Sequence, residues 1–344
     1  MTAYCYCTVE LREARENIKT VGEPSKVRER LDVSVVITSY NRAEALRRAL
    51  EGLCRQDASK LRYEVVVVDN NSTDATRAVV ESFAMGGNQE IRYLFEPCQG
   101  IAHGRNAGIL ASRAPIVAFT DDDVTVATDW IATLKRALDA NPEADCVGGR
   151  VVPRTDGSLP SWVSRHHWGP LAILDYGDAP FYVTARRRLC LITANAAFRR
   201  DVFGRIGLFA PRMVALSDNE LLVRLWRSGG QGLYVPALKV VSDIISDRLT
   251  KGYHRRWHQR HGHFSALMQD EALEDTRYGR LLGVPAWIYR TAVEAGAGWI
   301  GWSLRGNFDQ AFLHETRFRF ALGFMRSRWR EVLSRDPAGV ASRP

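Results

Sequence analysis

Apolar, β-branched segments alternate with amphipathic segments through the first third of the chain. Residues 33–38, 63–68, 91–95 and 115–120 have the composition of buried strands. Between the first two, apolar residues recur at helical spacing, at Ala45, Leu46, Ala49, Leu50 and Leu53. Continuous apolar strands that alternate with helices are typical of a parallel sheet covered on both faces. The pattern therefore predicts an α/β fold with a mostly parallel sheet.

Polar residues cluster at the point where each predicted strand ends. The segments 38–42, 69–71, 99–106 and 121–123 follow the four strands in turn. In an open parallel sheet, the ligand crevice lies beyond the carboxyl ends of the strands. We therefore expect these four segments to line one site.

Three consecutive carboxylates, Asp121, Asp122 and Asp123, come directly after the fourth strand. Like charges repel, and partial burial would add a desolvation cost, so stability alone explains the cluster poorly. Asp121 and Asp123 would point to the same side of an extended backbone and offer oxygen ligands to Mg²⁺ or Mn²⁺. The alternative is an acidic N-cap before a helix that begins near Asp129.

Two further residues at the strand ends suit a nucleoside. The Tyr40 ring could stack on a base, and Asp69 could accept a hydrogen bond from a base or a ribose hydroxyl. Alternatively, Asp69 only caps the following helix. Arg42 and Arg105 could neutralise phosphate, although a single arginine is more often a solvated surface residue.

Four motifs in order make the chain resemble the family 2 glycosyltransferases, which are inverting enzymes of the GT-A (Rossmann-like) fold. They are Val-Ser-Val-Val-Ile-Thr-Ser-Tyr-Asn-Arg at 33–42, Val-Val-Asp-Asn-Asn-Ser-Thr-Asp at 67–74, Arg-Asn-Ala-Gly at 105–108 and Phe-Thr-Asp-Asp-Asp-Val at 119–124. The resemblance covers about residues 33–265. It implies a nucleotide-sugar donor, usually a UDP-sugar, with Mn²⁺ or Mg²⁺. The donor-binding residues it implies are Thr38, Tyr40, Asn41, Arg42, Asp69, Arg105, Asp121 and Asp122, with Asp121 and Asp123 as the D-x-D pair on ribose and metal.

The second half of the resemblance supplies the acceptor side. The segment 191–200 resembles the one that lines the sugar and acceptor cleft, which places Asn195 there; a strand leading into a helix would explain the same residues. The segment 216–225 resembles the family's Glu-Asp segment at a helix N-terminus. Asp218 then becomes the catalytic base, with Ser217 where the family usually has Glu. A helix N-cap is the alternative role for Asp218, and Glu220 is the substitute base if the register shifts.

Two departures from the family pattern concern the metal and the diphosphate. Ser242 and Asp243 stand where the family often has a histidine that completes the metal shell, so Asp243 is the expected third ligand. Tyr-His-Arg-Arg-Trp at 253–257 resembles the Q-x-x-R-W element of polysaccharide synthases. Arg256 would steady the leaving diphosphate and Trp257 the acceptor, but a basic interfacial helix would explain both residues equally well.

The net charge of +8 is concentrated in the last quarter of the chain. Residues 251–344 hold 15 Lys and Arg against 9 Asp and Glu, interspersed with Trp and Phe. Basic amphipathic helices with aromatic margins suit the surface of an anionic membrane. A helical appendage packed on the catalytic domain is the alternative. Nucleic acid is not expected as a partner, because a crevice of carboxylates would repel it.

The expected organisation is a lead-in at 1–31, a GT-A domain at 32–250 and a basic amphipathic helical extension at 251–344. Within the GT-A domain, 32–150 would bind the nucleotide sugar and 151–250 the acceptor. Six scattered cysteines and the lack of a signal-peptide pattern favour the cytoplasm. The most apolar stretch, 287–304, contains Arg290 and Glu294, so we expect no spanning helix and, at most, peripheral association with the cytoplasmic face of a membrane.

The expected function is inverting, metal-assisted transfer of a sugar to a hydroxyl of a glycan, lipid-linked or small-molecule acceptor. A metal-dependent nucleotidyl or phosphoryl transferase is the alternative enzyme, although no phosphate loop is present. A non-catalytic GT-A partner subunit is the other alternative, suggested by Ser217 and Ser242. A dinucleotide oxidoreductase is disfavoured, because no G-x-G-x-x-G follows the first strand.

Overall fold

The computed structural model of the protein describes residues 30–58, 60–86, 89–155, 157–270 and 279–334. The described residues form two compact units. The first contains the residues up to Pro153 and Leu174–Asp243; the second contains Arg154–Ile173 and the residues from Ile244 onward. The lead-in predicted for 1–31 lies almost entirely outside the described residues. The division of the rest at residues 150 and 250 stays a prediction, and the segment 154–173 packs with the C-terminal helices.

One mixed sheet forms the centre of the first unit. Its strands are β1 (Val33–Ser39), β2 (Tyr63–Asp69), β3 (Glu90–Phe95), β4 (Ile116–Phe119), β5 (Val124–Val126), β6 (Cys146–Arg154), β7 (Phe181–Val183), β8 (Ala196–Arg199) and β9 (Gly232–Asp243). The strand order is β3-β2-β1-β4-β8-β6-β9-β5, with β7 beside β9. The first four strands in this order are parallel, and β8 joins β4 in antiparallel orientation. The predicted α/β class is confirmed.

Six α-helices accompany this sheet in the described part of the first unit. They are α1 (Ala43–Cys54), α2 (Thr76–Gly86), α3 (Ile101–Ala111), α4 (Trp130–Ala140), α5 (Asp201–Ile206) and α6 (Ser217–Arg227). The buried face of α1 carries the apolar residues whose spacing predicted it. Helix α3 begins directly after Gly100, which adopts a φ of 142° that allows the turn into the helix.

Parallel pairing places the ends of the strands together. Ser39 at the end of β1 is in register with Asp69 at the end of β2, and β4 pairs with the other side of β1. Phe119, the last residue of β4, is 2% exposed and meets Phe198 and Phe209 edge to face at 6.0 and 5.8 Å. This aromatic anchor fixes the point from which the three aspartates emerge.

Helix α3 lies unusually close to β1. A Cβ atom on Gly104 would lie 2.3 Å from Thr38 Cγ2, and one on Gly108 would lie 2.3 Å from Val36 Cγ1. Only glycine at both positions allows this separation between helix and strand. Arg105, between the two glycines, is thereby held over the edge where β1 ends.

The second unit is mainly helical. It contains α7 (Lys251–Met268), α8 (Ala286–Leu304) and α9 (Phe308–Ser334), with a two-stranded ribbon of β10 (Arg280–Leu281) and β11 (Val284–Pro285). Helix α9 packs on both α7 and α8, around a core that includes Ile288, Ala321 and Phe324. Among the described helices, none combines the length and the apolar character that crossing a membrane requires.

Candidate active site

Two of the three aspartates after β4, Asp122 and Asp123, are held by residues at and just after the end of β1. Ser39 Oγ donates a 2.8 Å hydrogen bond to Asp122 Oδ2. Arg42 bridges Asp122 and Asp123, because its Nη1 lies 3.1 Å from Asp122 Oδ1 and 2.9 Å from Asp123 Oδ2. Strand β5 separates all three aspartates from α4, so they do not cap that helix. The cluster therefore belongs to the crevice and not to a helix terminus.

Crowding of the carboxylates changes their acidity. Desolvation, followed by the charges of Asp123, Asp218 and Asp122, raises the pKa of Asp121 to about 7. Arg105 opposes this shift, with its Nη2 at 3.7 Å from Asp121 Oδ1, and 36% of the Asp121 side chain is exposed to water. Desolvation also raises the pKa of Asp122. The cluster thus holds more negative charge than its basic neighbours offset, a condition that a bound cation relieves.

Arg105 connects this cluster to Asp218 on α6. Its Nη1 donates hydrogen bonds to Asp218 Oδ1 at 2.8 Å and to Ser217 Oγ at 3.0 Å. Thr193 also donates to Asp218, from its Oγ1 to Oδ1 at 3.1 Å and from its backbone N–H to Oδ2 at 3.3 Å. Leu216, just before α6, has a φ of 58°, a left-handed conformation that L-residues rarely adopt. Asp218 therefore lies inside the first turn of α6 and is not its N-cap.

The residues predicted around the nucleoside lie at the ends of β1 and β2. Asp69 is 3% exposed; its Oδ1 accepts from the backbone of Ser72 at 2.8 Å and its Oδ2 from the Tyr93 hydroxyl at 2.8 Å. Asp69 orders its own loop in this way, so its predicted alternative role as a helix cap is not observed. Tyr40 is 46% exposed, which leaves its ring free for stacking.

Two other predicted donor residues help to shape this edge. Asn41 has a φ of 51°, and its side-chain oxygen accepts from the backbone of Thr73 at 2.7 Å, which ties the β1 loop to the β2 loop. Thr38 Oγ1 is buried and has no hydrogen-bond partner among the described residues. A ligand atom that reached this hydroxyl would satisfy it.

The protein alone offers an incomplete metal shell. Asp243 ends β9, and its backbone N–H donates to Asp123 O at 3.1 Å, while its carboxylate lies 3.6 Å from Arg48. No three His, Cys, Asp or Glu side chains of the described residues form a group that could hold a metal ion. Mg²⁺-type sites commonly use only one or two carboxylates and complete the shell with water and substrate phosphate. Asp121 and Asp123 fit that kind of site.

Two residues predicted on the acceptor side are engaged inside the fold. Asn195 is 1% exposed; it accepts from Trp130 Nε1 at 2.7 Å and donates to the carbonyl oxygens of Arg150 and Leu238. Glu220 forms a two-point ion pair with Arg224, each bond being 2.8 Å long. These bonds hold strands and helices in place, and the roles predicted for both side chains on the acceptor side stay predictions.

Arg256 and Trp257 belong to the second unit. The rings of Trp257 and His261 meet edge to face, with 4.6 Å between their centroids. Trp257 also covers Gly169, where a Cβ atom would lie 2.9 Å from the indole ring. Arg256 is exposed on α7. Their predicted contacts with the diphosphate and the acceptor stay predictions.

The sequence model described as "Glycosyl transferase family 2" matches residues 34–207, about half of the chain. The chain belongs to glycosyltransferase family 2. The match spans β1 to α5 and includes all three aspartates after β4.

Curated relatives of this family 2 chain carry glycosyltransferase names. A "Glucosyl-dolichyl phosphate glucuronosyltransferase" of Haloferax volcanii is 29% identical over 184 residues, which is 52% of this chain and 55% of the relative. A "Validoxylamine A glucosyltransferase" of Streptomyces hygroscopicus is 39% identical over 107 residues, 30% of this chain and 25% of the relative. The chain thus spans about half, or less, of the length of these relatives.

Solved structures share the fold. A mannosyltransferase from Pyrobaculum calidifontis, in complex with GDP-Man and Mn²⁺, has a TM-score of 0.59 at 20% identity over 92% of this chain and 94% of that one. Residues 1–349 of TarS from S. aureus, in complex with UDP-GlcNAc, give a TM-score of 0.52 at 15% identity over 84% and 92% of the two chains. Both likenesses support the GT-A fold for this family 2 chain.

Two residues that contact the candidate site were not predicted from the sequence. Ser39 binds Asp122, and Thr193 binds Asp218. Each lies inside a segment that the sequence had singled out, one beside Tyr40 and the other two residues before Asn195. Their position beside predicted site residues could have identified both as candidates. The pairing of each hydroxyl with its carboxylate depends on how separate elements pack, and the sequence does not contain that information.

Proposed function

We propose that the chain is an inverting glycosyltransferase that moves a sugar from a nucleotide-sugar donor to a hydroxyl of a glycan, lipid-linked or small-molecule acceptor. One observation carries the proposal. Arg105 joins Asp121 of the carboxylate cluster to Asp218 on α6, at 3.7 and 2.8 Å. A candidate donor site and a candidate base are thereby parts of one connected arrangement.

The donor is proposed to lie along the ends of β1, β2 and β4. Tyr40 would stack on the base, Asp69 would accept from the nucleoside, and the buried Thr38 hydroxyl would find its missing partner there. The structural neighbours in complex with GDP-Man and UDP-GlcNAc support a nucleotide sugar as the donor class. A UDP-sugar is the proposed donor.

Asp121 and Asp123 are proposed to hold Mn²⁺ or Mg²⁺ together with phosphate oxygens of the donor. A cation there offsets the charge that develops on the departing diphosphate. Arg42 keeps Asp122 and Asp123 in place before the donor binds, because it bridges the two carboxylates. The neighbour that contains GDP-Man and Mn²⁺ supports a divalent cation in this fold.

Asp218 is proposed to be the general base. Its Oδ1 accepts hydrogen bonds from Arg105 and Thr193, whereas Oδ2 accepts only a long one from the Thr193 backbone among the described residues. Oδ2 is therefore the atom that would take the proton of the acceptor hydroxyl as its oxygen attacks the anomeric carbon. A single displacement needs no enzyme nucleophile, and it inverts the anomeric configuration.

The test is a donor screen with the purified protein. UDP-, dTDP- and GDP-sugars are incubated with Mn²⁺, with and without simple glycoside acceptors, and release of the nucleoside diphosphate is measured. We expect release with at least one UDP-sugar, and a rise in melting temperature with the same donor. Release of pyrophosphate or of a nucleoside monophosphate would favour nucleotidyl or phosphoryl transfer. Donor binding without any release would favour a non-catalytic subunit.

The second unit is proposed to bring the enzyme to the surface of an anionic membrane, which a lipid-linked acceptor would require. The support is the surplus of basic residues in 251–344 and the exposed apolar side chains of α8 and of the start of α9, including Val293, Ile300, Leu304 and Phe308. Localisation in the cytoplasm is part of the same proposal.

A further inference from the structure

Four arginines of the second unit converge on one groove between α7 and α9. Arg256 and Arg260 are one turn apart on α7, and Arg326 and Arg330 are one turn apart on α9. The groove has a volume of about 370 Å³. That volume is within the range of small-molecule sites, about 300–1,000 Å³.

A close helix crossing brings the two arginine pairs together. A Cβ atom on Gly262 of α7 would lie 2.0 Å from Phe320 O of α9, and one on Gly323 of α9 would lie 2.0 Å from Gln259 O of α7. The two backbones are therefore in contact, with no side chain between them. Gly323 itself lines the groove, so the arginines rise on either side of a floor formed by the crossing.

Several other arginines of this unit pair with an acidic side chain, whereas the groove arginines pair with none among the described residues. Arg255 and Arg319 both pair with Glu315, and Arg328 pairs with Glu331. None of the four groove arginines forms an ion pair with a described residue, and no Asp or Glu of the described chain is among the residues that line the groove. Like charges four residues apart on a helix are destabilising, so folding alone gives no reason for this arrangement.

Polar side chains complete the lining. Gln259, His263 and Ser327 lie between the arginines, and Ser327 is 9% exposed. Desolvation and then the charges of Arg330 and Arg260 lower the pKa of His263, as expected for a ring that lies beside these guanidinium groups. A bound anion would meet both guanidinium and neutral hydrogen-bond donors.

We propose that this groove is a binding site for a phosphate-bearing ligand with at least two negative charges, such as a phosphomonoester or a diphosphate. The planar guanidinium fork binds phosphate oxygens in pairs, and four such groups match a dianion better than a single carboxylate. The groove shares no residue with the candidate donor site at the ends of β1, β2 and β4; of its lining residues, only Arg256 was predicted from the sequence to contact a diphosphate. It binds its ligand without a metal ion, because it already supplies the positive charge.

The experiment measures binding to the full-length protein at low ionic strength in EDTA, without any nucleotide sugar. One arm titrates inorganic pyrophosphate by calorimetry; the other uses vesicles of phosphatidylcholine with and without phosphatidic acid in a sedimentation assay. The test variant is the double substitution Arg260→Gln/Arg326→Gln, which removes one arginine from each side of the groove. The control is Arg290→Gln/Arg305→Gln on and just after α8, which removes the same charge from the same unit but outside the groove.

We expect the test variant to weaken binding of pyrophosphate at least tenfold and the control to change it less than threefold. Binding of pyrophosphate identifies a soluble phosphate ligand, and binding only of the phosphatidic acid vesicles, with the same loss in the test variant, identifies a lipid headgroup. The proposal is overturned if the protein binds neither probe, or if test and control variants lose binding equally. Since no donor or divalent cation is present, these outcomes leave the proposed transferase function untouched. The melting temperature of each variant without ligand shows that it is folded.

Discussion

Arg105 donates hydrogen bonds to Ser217 and Asp218 and lies within 3.7 Å of Asp121, although it is only 8% exposed. A buried guanidinium with several charge-assisted bonds fixes the positions of the carboxylates around it. Ser217, which departs from the family pattern, accepts one of these bonds. The departure therefore supplies a partner for Arg105 and does not disrupt the geometry around Asp218.

The role of Asp218 can be separated from that of Glu220 by two matched amide substitutions. Asp218→Asn should lower kcat at least ~100-fold, because general-base catalysis contributes about 10²–10⁴, while donor binding is retained. Glu220→Gln on the same helix is the control, and it should keep most of the activity, since its carboxylate is paired with Arg224. Steady-state nucleotide release and donor titration measure both. Loss of activity only in Glu220→Gln would move the base to Glu220.

The raised pKa of Asp121 predicts a pH-dependent cost of folding. In the unfolded chain an aspartate titrates near about 3.9, whereas in the fold the pKa of Asp121 is about 7. Ionisation of Asp121 is therefore less favourable in the folded state than in the unfolded state. The free energy of unfolding accordingly falls as the pH rises from about 4 to 7.

Asp121→Asn should accordingly gain stability relative to the parent protein at pH 7.5 in EDTA, and gain about a third as much at pH 5. Because the side chain is 36% exposed, solvent screening limits the gain to on the order of 1 kcal/mol. Urea unfolding at the two pH values measures it. An equal difference at both would show that Asp121 ionises normally.

At the scale of elements, the contact between α3 and β1 decides where Arg105 lies. Gly104 and Gly108 both face β1 and allow the helix to rest on Thr38 and Val36. A larger residue at either position must push the helix away from the strand, and the end of α3 that carries Arg105 moves with it.

Gly108→Ala should lower the free energy of unfolding by about 1–3 kcal/mol, as overpacking does, even though alanine favours a helix more than glycine does. Its Cβ would lie 2.3 Å from Val36 Cγ1, a stiff β-branched side chain. Gly86→Ala at the end of α2, where nothing lies within 4 Å of the new Cβ, is the control and should be neutral or stabilising. Val36→Ala should partly rescue Gly108→Ala. Equal stability of Gly108→Ala and the parent protein would contradict the close contact.

At the scale of the whole molecule, the two units differ in their buried titratable groups. The second unit buries a cluster of histidines. The rings of His166 and His258 are stacked with 5.1 Å between their centroids, and the ring centroids of His167 and His254 are 5.5 Å apart. Desolvation, followed by the charges of neighbouring groups, lowers the pKa of His166 to about 4 and that of His167 to about 3. The fold therefore holds these rings in the neutral form.

This cluster predicts loss of stability in acid. These histidines take up protons near pH 6.5 in the unfolded chain, but only near pH 4 or below in the folded chain. The free energy of unfolding is therefore highest above pH 6.5 and falls as the pH decreases below that value. One such histidine corresponds to about 2 kcal/mol between pH 6.5 and 5. Denaturant unfolding of the parent protein should show at least this loss.

His258→Leu should reduce the pH dependence, because His258 is 4% exposed and its Nε2 has no hydrogen-bond partner among the described residues. Leucine keeps a similar volume without a group that takes up a proton. His103→Leu on α3, outside the cluster, serves as the control. A pH dependence in His258→Leu equal to that of the control would show that the cluster does not govern acid stability.

Residues of the candidate donor site could be named from the sequence because they follow buried strands. The ends of β1, β2 and β4 are recognisable as the last residues of apolar runs, and parallel pairing brings such ends to one edge. Tyr40, Asp69 and Asp121 were predicted in this way, and the structure places them at or just after the ends of these strands. The burial of Asn195 and Glu220 could not be predicted in this way. The same types of polar residue occur inside a fold and in a ligand site, so the residue type alone does not distinguish the two positions.

The sequence by itself determined the α/β class, the strands of the parallel half, the family and the region of the candidate site, because hydrophobic periodicity and short motifs are local properties of a chain. The tertiary structure alone decided which groups meet. Arg105 and Asp218 are 113 positions apart, and Arg42 and Asp122 are 80 apart. The groove of four arginines likewise exists only because Gly262 and Gly323 let two helices touch. Contacts of this kind depend on how elements pack, and packing depends on shapes that no local pattern contains.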